Sequence, residues 1–355
     1  MRPSTGRCLR KISRYSLRLS LTVMATAAPA ASGHAATVVR RVAAMGTVLE
    51  VRVTADDGPT AAAASEAAVR SVEAAERRLS TWRRDSELSR VNAAAPGVPV
   101  RLSAATSADL AAALRWAAAT GRAFDPACGS LVAAWGLRGG AGEPGEDALE
   151  RALAAAGPGA VRLEGFTAVK TRPGVRLDAG GFGKGLALDR ACRAALGAGA
   201  RGVALDFGGQ VRLAGDVGVV RVAVADPDRR LRAAAVVAVG SGSVATSGDS
   251  ERRVVTASGR RVGHLIDPRS GRPASDFGSV TVWAASGVAA DCLSTALFVM
   301  GPEAGMRWLA RHPDIEALYL VRGRRGLRRI ATPGMRRMLA LGGRRLRGVG
   351  RPRAD

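Results

Sequence analysis

The chain has 355 residues, 47% hydrophobic and 23% charged, a balance that supports a sizeable core and excludes wholesale disorder and collagen-like repeats. Its net charge of +23 suggests nucleic acid until it is divided: residues 1–18 carry six positive charges, residues 322–355 a net +11, and everything between only +6. No interleaving of aromatic and basic residues accompanies that charge, so no nucleic-acid partner is expected, and four widely spaced cysteines (Cys8, Cys128, Cys192, Cys292) without a CxxC pair argue against a disulfide scaffold or cysteine-rich zinc site.

The basic stretch ending at Arg18 leads into the uncharged run Leu19–Ser32, with small residues in and just after it. This is the pattern of an export signal over residues 1–36, with a disordered leader as the alternative. Met45–Thr54 alternates apolar and polar residues as a strand does. Between Thr60 and Leu79, the residues Ala64, Ala68, Val72, Ala75 and Leu79 recur at helical spacing. Further helices are expected over Ala108–Thr120, Asp147–Ala156 and Lys184–Leu196, each followed by a glycine stop. Short β-branched runs at Val203–Phe207, Val219–Ala225, Ala234–Val239 and Val280–Ala284 read as strands, Asp291–Met300 as a fifth helix, and Ile315–Val321 as a closing strand. Helices and mostly antiparallel strands in blocks predict an α+β fold over residues 37–321. Residues 322–355 are expected to form a flexible arginine-rich tail, a short helix at Met335–Leu341 being the alternative. Beyond the first forty residues no apolar run is long enough to span a membrane.

Two glycine patterns carry no nucleotide-binding message. Gly197–Gly202 matches GxGxxG by letters but follows a helix and precedes a strand, the reverse of a dinucleotide fingerprint. Gly183-Lys184 lacks the upstream glycine and the Ser or Thr of a P-loop. The segment Leu177–Asp189 (LDAGGFGKGLALD) is more informative. Its glycines at the start of a helix let backbone N–H groups approach a phosphate, although a tight turn uses the same residues. Asp291 and Thr295 lie at i and i+4, so a carboxylate and a hydroxyl share one helix face. These are hard oxygen donors that suit Mg²⁺, while an acidic residue favoured by the helix dipole is the plainer alternative. His264, beside Asp267 and Arg269 in a Pro/Gly-marked turn, is either structural or catalytic. Trp82 is either a core residue or a stacking platform.

The segments MGT (45–47), STWRRDSELSRVN (80–92), AFDPACGSLVAAWG (123–136), LDAGGFGKGLALD (177–189), LDFGG (205–209), ATSGD (245–249), HLIDPRSGRP (264–273) and ADCLSTAL (290–297) follow one another in an order that resembles the FAD:protein FMN transferase family, also called ApbE, over residues 45–321. The resemblance implies an exported enzyme with an α+β flavin transferase fold. Such an enzyme uses Mg²⁺ to move the FMN half of FAD onto a Thr or Ser hydroxyl of an acceptor protein, releasing AMP. It implies flavin contacts at Met45, Trp82, Ala123, Phe124, Asp125, Asp178, Lys184 and Ile266, and a metal site made by Gly181 through its carbonyl, Asp291 and Thr295. His264 matches a histidine of the transfer chemistry, with Asp267 or another carboxylate expected to orient it. Trp82 stands where Tyr is common, and Gln210 where an acidic or amide residue is frequent. The implied acceptor is a redox subunit or an FMN-binding domain, and the implied location is the periplasm or the envelope side of the inner membrane. Peripheral contact of the basic tail with anionic lipid is a further expectation. An FAD pyrophosphatase and a non-catalytic flavin-binding protein are the alternatives.

Overall fold

The computed structural model describes residues 25–26, 35–138, 142–249, 253–255, 259 and 261–342. The segment expected to be an export signal lies almost wholly outside the described residues, as does the chain from residue 343. In chain order, β1 (Ala25–Thr26) precedes the hairpin of β2 (Ala36–Ala44) and β3 (Thr47–Ala55). Next come α1 (Gly58–Leu79), α2 (Glu87–Ala93), β4 (Pro99–Arg101), α3 (Ala104–Ala119), α4 (Gly129–Ala134) and α5 (Glu146–Ala155). The hairpin of β5 (Val161–Glu164) and β6 (Thr167–Lys170) leads to α6 (Gly183–Gly197), then β7 (Gly202–Phe207), β8 (Gln210–Gly215), β9 (Val220–Ala225) and β10 (Ala233–Val239). After β11 (Gly242–Gly248), β12 (Arg253–Val255), β13 (Arg261–Gly263) and β14 (Gly278–Ala284), the described residues finish with α7 (Gly287–Leu309), β15 (Glu316–Gly323), β16 (Gly326–Ala331) and α8 (Pro333–Gly342).

The main sheet has eight strands in the order β16-β15-β14-β11-β8-β7-β3-β2, and every neighbouring pair is antiparallel. The alternation read in Met45–Thr54 is the cause of its placement: Leu49, Val51 and Val53 are fully buried on one face of β3. Each contributes about 1.5–3 kcal/mol of apolar burial. That face is covered by α1 and α6, whose Ala64, Ala68, Val72, Ala187 and Leu188 pack with Leu49, Val203 and Leu205. Farther along the sheet, Leu293 and Leu297 of α7 pack with Val280, Val282 and Tyr319. The opposite face is covered by β9, β10 and Met335 of α8, against Ala204, Val211 and Leu318. A three-stranded sheet, β4-β6-β5, belongs to a second cluster with α2 and α3 around Leu88, Leu110, Phe124 and Phe182.

Two expectations are corrected and one holds. Helix α7 starts at Gly287, four residues before Asp291, because Ser286 caps it by accepting from the Ala289 N–H at 3.3 Å. Asp291 therefore sits in the second turn and is not a dipole residue of the first. The expected stop at Met300 coincides with a break at Gly301 (φ 75°), after which Pro302 opens a second helical segment. The tail does not begin at 322: residues 326–331 pair with β15 as an edge strand and α8 packs onto the core through Met335, Met338 and Leu339. Arginines in that edge strand hid the pairing, because its mostly exposed side chains leave little apolar alternation to read.

Candidate active site

Several tight connections meet at one end of the main sheet. Met45 (φ 45°) and Gly46 (φ 75°) form the two-residue turn between β2 and β3, with left-handed backbone at both positions. For Met45 that geometry costs about 1–2 kcal/mol. Gly208 (φ 59°) and Gly209 (φ 89°) make the matching turn between β7 and β8. A Cβ on Gly208 would stand 2.8 Å from Thr47 Oγ1, so the two turns pack against each other. The Gly208-Gly209 turn, the end of β11, the start of α6 and the second and third turns of α7 surround a cleft of about 570 Å³, counting space open to solvent, whose walls include Lys184, Gly208, Ser247, His264, Asp291 and Thr295.

Helices α6 and α7 meet almost backbone to backbone. A Cβ on Gly185 would lie 2.2 Å from the Gly287 carbonyl oxygen, a separation only glycine allows. Asp189 of α6 accepts from the N–H groups of Gly287 (2.7 Å) and Val288 (3.0 Å), and Arg212 holds Asp189 at 2.8 Å. Gln210 Nε2 donates to the Gly287 carbonyl at 2.8 Å. Gln210 thus has a structural role, which is to fix the start of α7. These contacts set the position of Asp291.

Asp291 is 4% exposed, and its Oδ2 accepts from the Gly185 N–H at 2.9 Å, one of the donors that a helix start leaves without an intrahelical partner. Lys184 Nζ lies 3.9 Å from its Oδ1. Burial pushes the Asp291 carboxyl above its ordinary value, partly opposed by the Lys184 ammonium and by the Gly185 and Lys184 N–H groups. Thr295 follows one turn later on the same face. A Cβ on Gly181 would come within 3.2 Å of Thr295 Oγ1, so the Gly181 backbone lies against that hydroxyl. The hydrogen-bond ladder of α6 opens with Leu186 donating to the Phe182 carbonyl, which leaves the Gly181 carbonyl outside it. A buried carboxylate, a hydroxyl and a carbonyl beyond the helix ladder fit a hard, oxygen-preferring divalent cation. Among the described residues no group of three or more His, Cys, Asp or Glu is placed to hold a metal, so the donor set is not of the zinc type.

His264 lines the same cleft, following β13. Its Nδ1 is 3.7 Å from Oδ1 of Asp249, which is 1% exposed and lies directly beneath Gly263. Of the two expectations for the carboxylate facing the histidine, Asp267 is corrected and another carboxylate, Asp249, takes the place: Asp267 grips Arg269 through two contacts of 2.9 Å and accepts from the Arg269 N–H. Asp249 was within the ATSGD segment, but only folding brings it to His264.

The remaining positions expected to contact flavin divide into three groups. Ala123, Phe124 and Asp125 are buried beneath the glycine loop; Phe124 meets Phe182 edge-on at 6.4 Å, and Asp125 Oδ1 accepts from the Ala127 N–H at 2.8 Å. Ile266 buries its side chain among Leu131, Trp135 and Leu149, so only its backbone is left for a ligand. Trp82 is 73% exposed, which removes the core reading, and Asp178 lies near it. Arg138 joins the two. Its guanidinium donates to Asp178 and to Thr81 Oγ1 and stands 5.2 Å from the centre of the Trp82 ring. No sequence signal singled out Arg138, which is 40 residues from Asp178.

The profile of the ApbE family matches residues 45–319. The chain belongs to the ApbE family. Among curated relatives, the FAD:protein FMN transferase of Vibrio cholerae is 32% identical over 270 residues, 74% of this chain and 80% of that protein. The FAD:protein FMN transferase of Treponema pallidum is 34% identical over 263 residues, 68% of this chain and 72% of that one. Among solved structures, the flavin transferase ApbE from Vibrio cholerae is similar with a TM-score of 0.75 at 30% identity, covering 86% of this chain and 100% of that chain. The apbe protein of Thermotoga maritima gives 0.76 at 28% identity, covering 86% and 99%. The α+β architecture expected from the sequence is therefore the ApbE fold, and the chain is read as an enzyme of that family.

Proposed function

We propose that this ApbE-family chain is a Mg²⁺-dependent FAD:protein FMN transferase that joins FMN to a Thr or Ser hydroxyl of an acceptor protein and releases AMP. The observation that carries the reading is the convergence of Asp291, Thr295, Gly181, Lys184 and His264, contributed by three separate segments, on one cleft. A Mg²⁺ ion held by Asp291, Thr295 and the Gly181 carbonyl would neutralise charge on the pyrophosphate, an effect typically worth several kcal/mol.

The residues of the chain supply the rest. Lys184 sets a fixed positive charge beside the pyrophosphate, while the first N–H groups of α6 are engaged by the Ala179 carbonyl and the Asp291 carboxylate. Trp82 offers an exposed ring face on which the flavin or adenine stacks, and Asp178 accepts from ring or ribose donors. The acceptor oxygen bonds to the phosphorus of the FMN half. The bond from that phosphorus to the bridging oxygen breaks, and AMP leaves with that oxygen. The hydroxyl proton passes to His264 Nε2, while Nδ1 faces Asp249, whose carboxylate favours the charged imidazole that results.

The basic start, apolar run and small residues of the first 36 residues support export to the periplasm or the envelope side of the inner membrane. The test of the activity is to incubate the full chain with FAD, Mg²⁺ and a peptide containing one Thr, and to weigh the peptide. A gain of one FMN, lost on chelation and in a Thr→Val peptide, is expected. Bound FAD left intact under all conditions would overturn the reading in favour of a carrier.

A further inference from the structure

The hairpin β15–β16 carries the densest charge among the described residues. Between 322 and 342 the sequence has seven arginines and no acidic residue. Arg322 is held by Asp228 (2.7 Å) and Asp276 (2.6 Å) and anchors the hairpin, while Arg329 donates to the Ala234 carbonyl. Arg324, Arg325 and Arg328 are exposed and take part in no ion pair among the described residues.

Strand register places these charges. Gly248, on the wall of the cleft, pairs with Ser279, Ser279 with Leu320, and Leu320 with Arg329. Beyond that level the hairpin continues through Val321–Arg328, Arg322–Leu327 and Gly323–Gly326 to its tip at Arg324-Arg325. It therefore overhangs the cleft end of the sheet by about 13 Å and is displaced sideways by three strand spacings, about 14 Å. A stable protein partner covers about 800 Å² on each side, a disc of roughly 16 Å radius. A partner centred on the cleft would reach the hairpin. Charge on an edge strand also discourages strand pairing, which accounts for Arg328 and Arg329 but not for the two arginines at the tip.

We infer that the Arg324–Arg328 hairpin is a docking surface for the acceptor protein, and that it selects acceptors whose modified hydroxyl is flanked by acidic residues. The inference rests on the transfer activity proposed above. Three guanidinium groups beside the cleft, with no ion pair among the described residues, raise the local concentration of a negatively charged partner and orient it, acting on encounter and not on the phosphoryl transfer itself.

The test compares two synthetic peptides, each with one Thr, flanked by Asp in one and by Asn in the other. The full chain is set against a variant carrying Arg324→Glu, Arg325→Glu and Arg328→Glu. At low salt the unaltered chain should favour the Asp peptide by about tenfold in kcat/KM, and the preference should fade near about 1 M salt, where charges are screened within about 3 Å. The variant should lose the preference while keeping its FAD affinity and its kcat at saturating peptide. Should the Glu variant fold poorly, Arg→Gln at the same positions must abolish the preference, and the salt dependence of the unaltered chain tests the point independently. Equal use of both peptides by the unaltered chain, or an undiminished preference in the variant, would overturn the inference. So would binding of the unaltered chain to phosphatidylglycerol vesicles with no peptide preference, which would assign the hairpin to lipid. Transfer to neither peptide, with FAD left intact, would instead count against the activity on which the inference rests.

Discussion

Replacing Gly185 by Ala should damage the site without touching any group that contacts substrate. The added Cβ would lie 2.2 Å from the Gly287 carbonyl oxygen, 2.5 Å from its carbon and 2.8 Å from the Val288 nitrogen, all backbone. To reach an ordinary contact of 3.4 Å the start of α7 must retreat by about 1.2 Å. That movement breaks the 2.9 Å hydrogen bond from Gly185 to Asp291 and the Asp189 cap on Gly287 and Val288. Overpacking of this kind costs about 1–3 kcal/mol, or roughly 2–6 °C in Tm at the slope expected for a large domain. Because Asp291 moves with α7, affinity for Mg²⁺ should fall in the same variant. Gly183→Ala is the control, since its Cβ would meet only the Ala179 methyl at an ordinary 3.4 Å. Thermal unfolding and metal titration of both variants decide the matter. A Gly185→Ala protein with unchanged Tm and metal affinity would refute the argument that close backbone approach sets the metal ligands.

The other predictions concern single side chains. Asp291→Asn should abolish Mg²⁺-dependent transfer yet raise the Tm of the chelated protein near neutral pH. Burial lifts the folded value of Asp291 above 3.8, so its stability contribution is fullest below that value and is lost as pH rises through the folded one. The Tm difference should accordingly shrink toward pH 3.8; a lower Tm for the variant at every pH would contradict this. His264→Ala should lower the transfer rate by about 10²–10⁴ with Tm and FAD affinity intact, and Asp249→Asn should follow it in direction. Retention of full transfer by His264→Ala would remove it as the base. Trp82→Ala should leave stability within about 0.5 kcal/mol and weaken FAD binding by about 2- to 10-fold, the worth of an aromatic pair. A large fall in Tm would instead make Trp82 a packing residue.

The legible parts of the molecule were those whose information is local. Helical spacing of Ala64 to Leu79 located α1 within a few residues, and alternation in Met45–Thr54 located β3. Lys184, Asp291 and Thr295 stood out because a glycine-rich helix start and an i, i+4 pair are visible in one short segment each. What could not be read was set by contacts between distant segments. Asp249 reaches His264 only on folding, so the sequence could name the nearer Asp267 but offer the alternative only as an unspecified carboxylate. Arg138 meets Asp178, 40 residues later in the chain, and Trp82, on the far side of α2 and α3 in sequence, only on folding. Gly185 looked like part of a phosphate loop, whereas its missing side chain makes room for the Gly287 carbonyl. Strand β16 was hidden because its arginines resemble those of a solvated tail, whereas α8 was legible as the alternative helix at Met335–Leu341, whose Met335, Met338 and Leu339 turn to the core.

The central claim, that one cleft couples FAD cleavage to acceptor modification, is tested most directly by counting AMP and modified acceptor in the same reaction. The full chain is mixed with FAD, Mg²⁺ and a Thr-containing peptide, and both products are followed by mass spectrometry. Equal amounts of AMP and FMN-bearing peptide, with neither formed after chelation, are predicted. AMP accumulating together with free FMN, and no peptide gaining mass under any condition, would contradict the account and make the cleft a pyrophosphatase site.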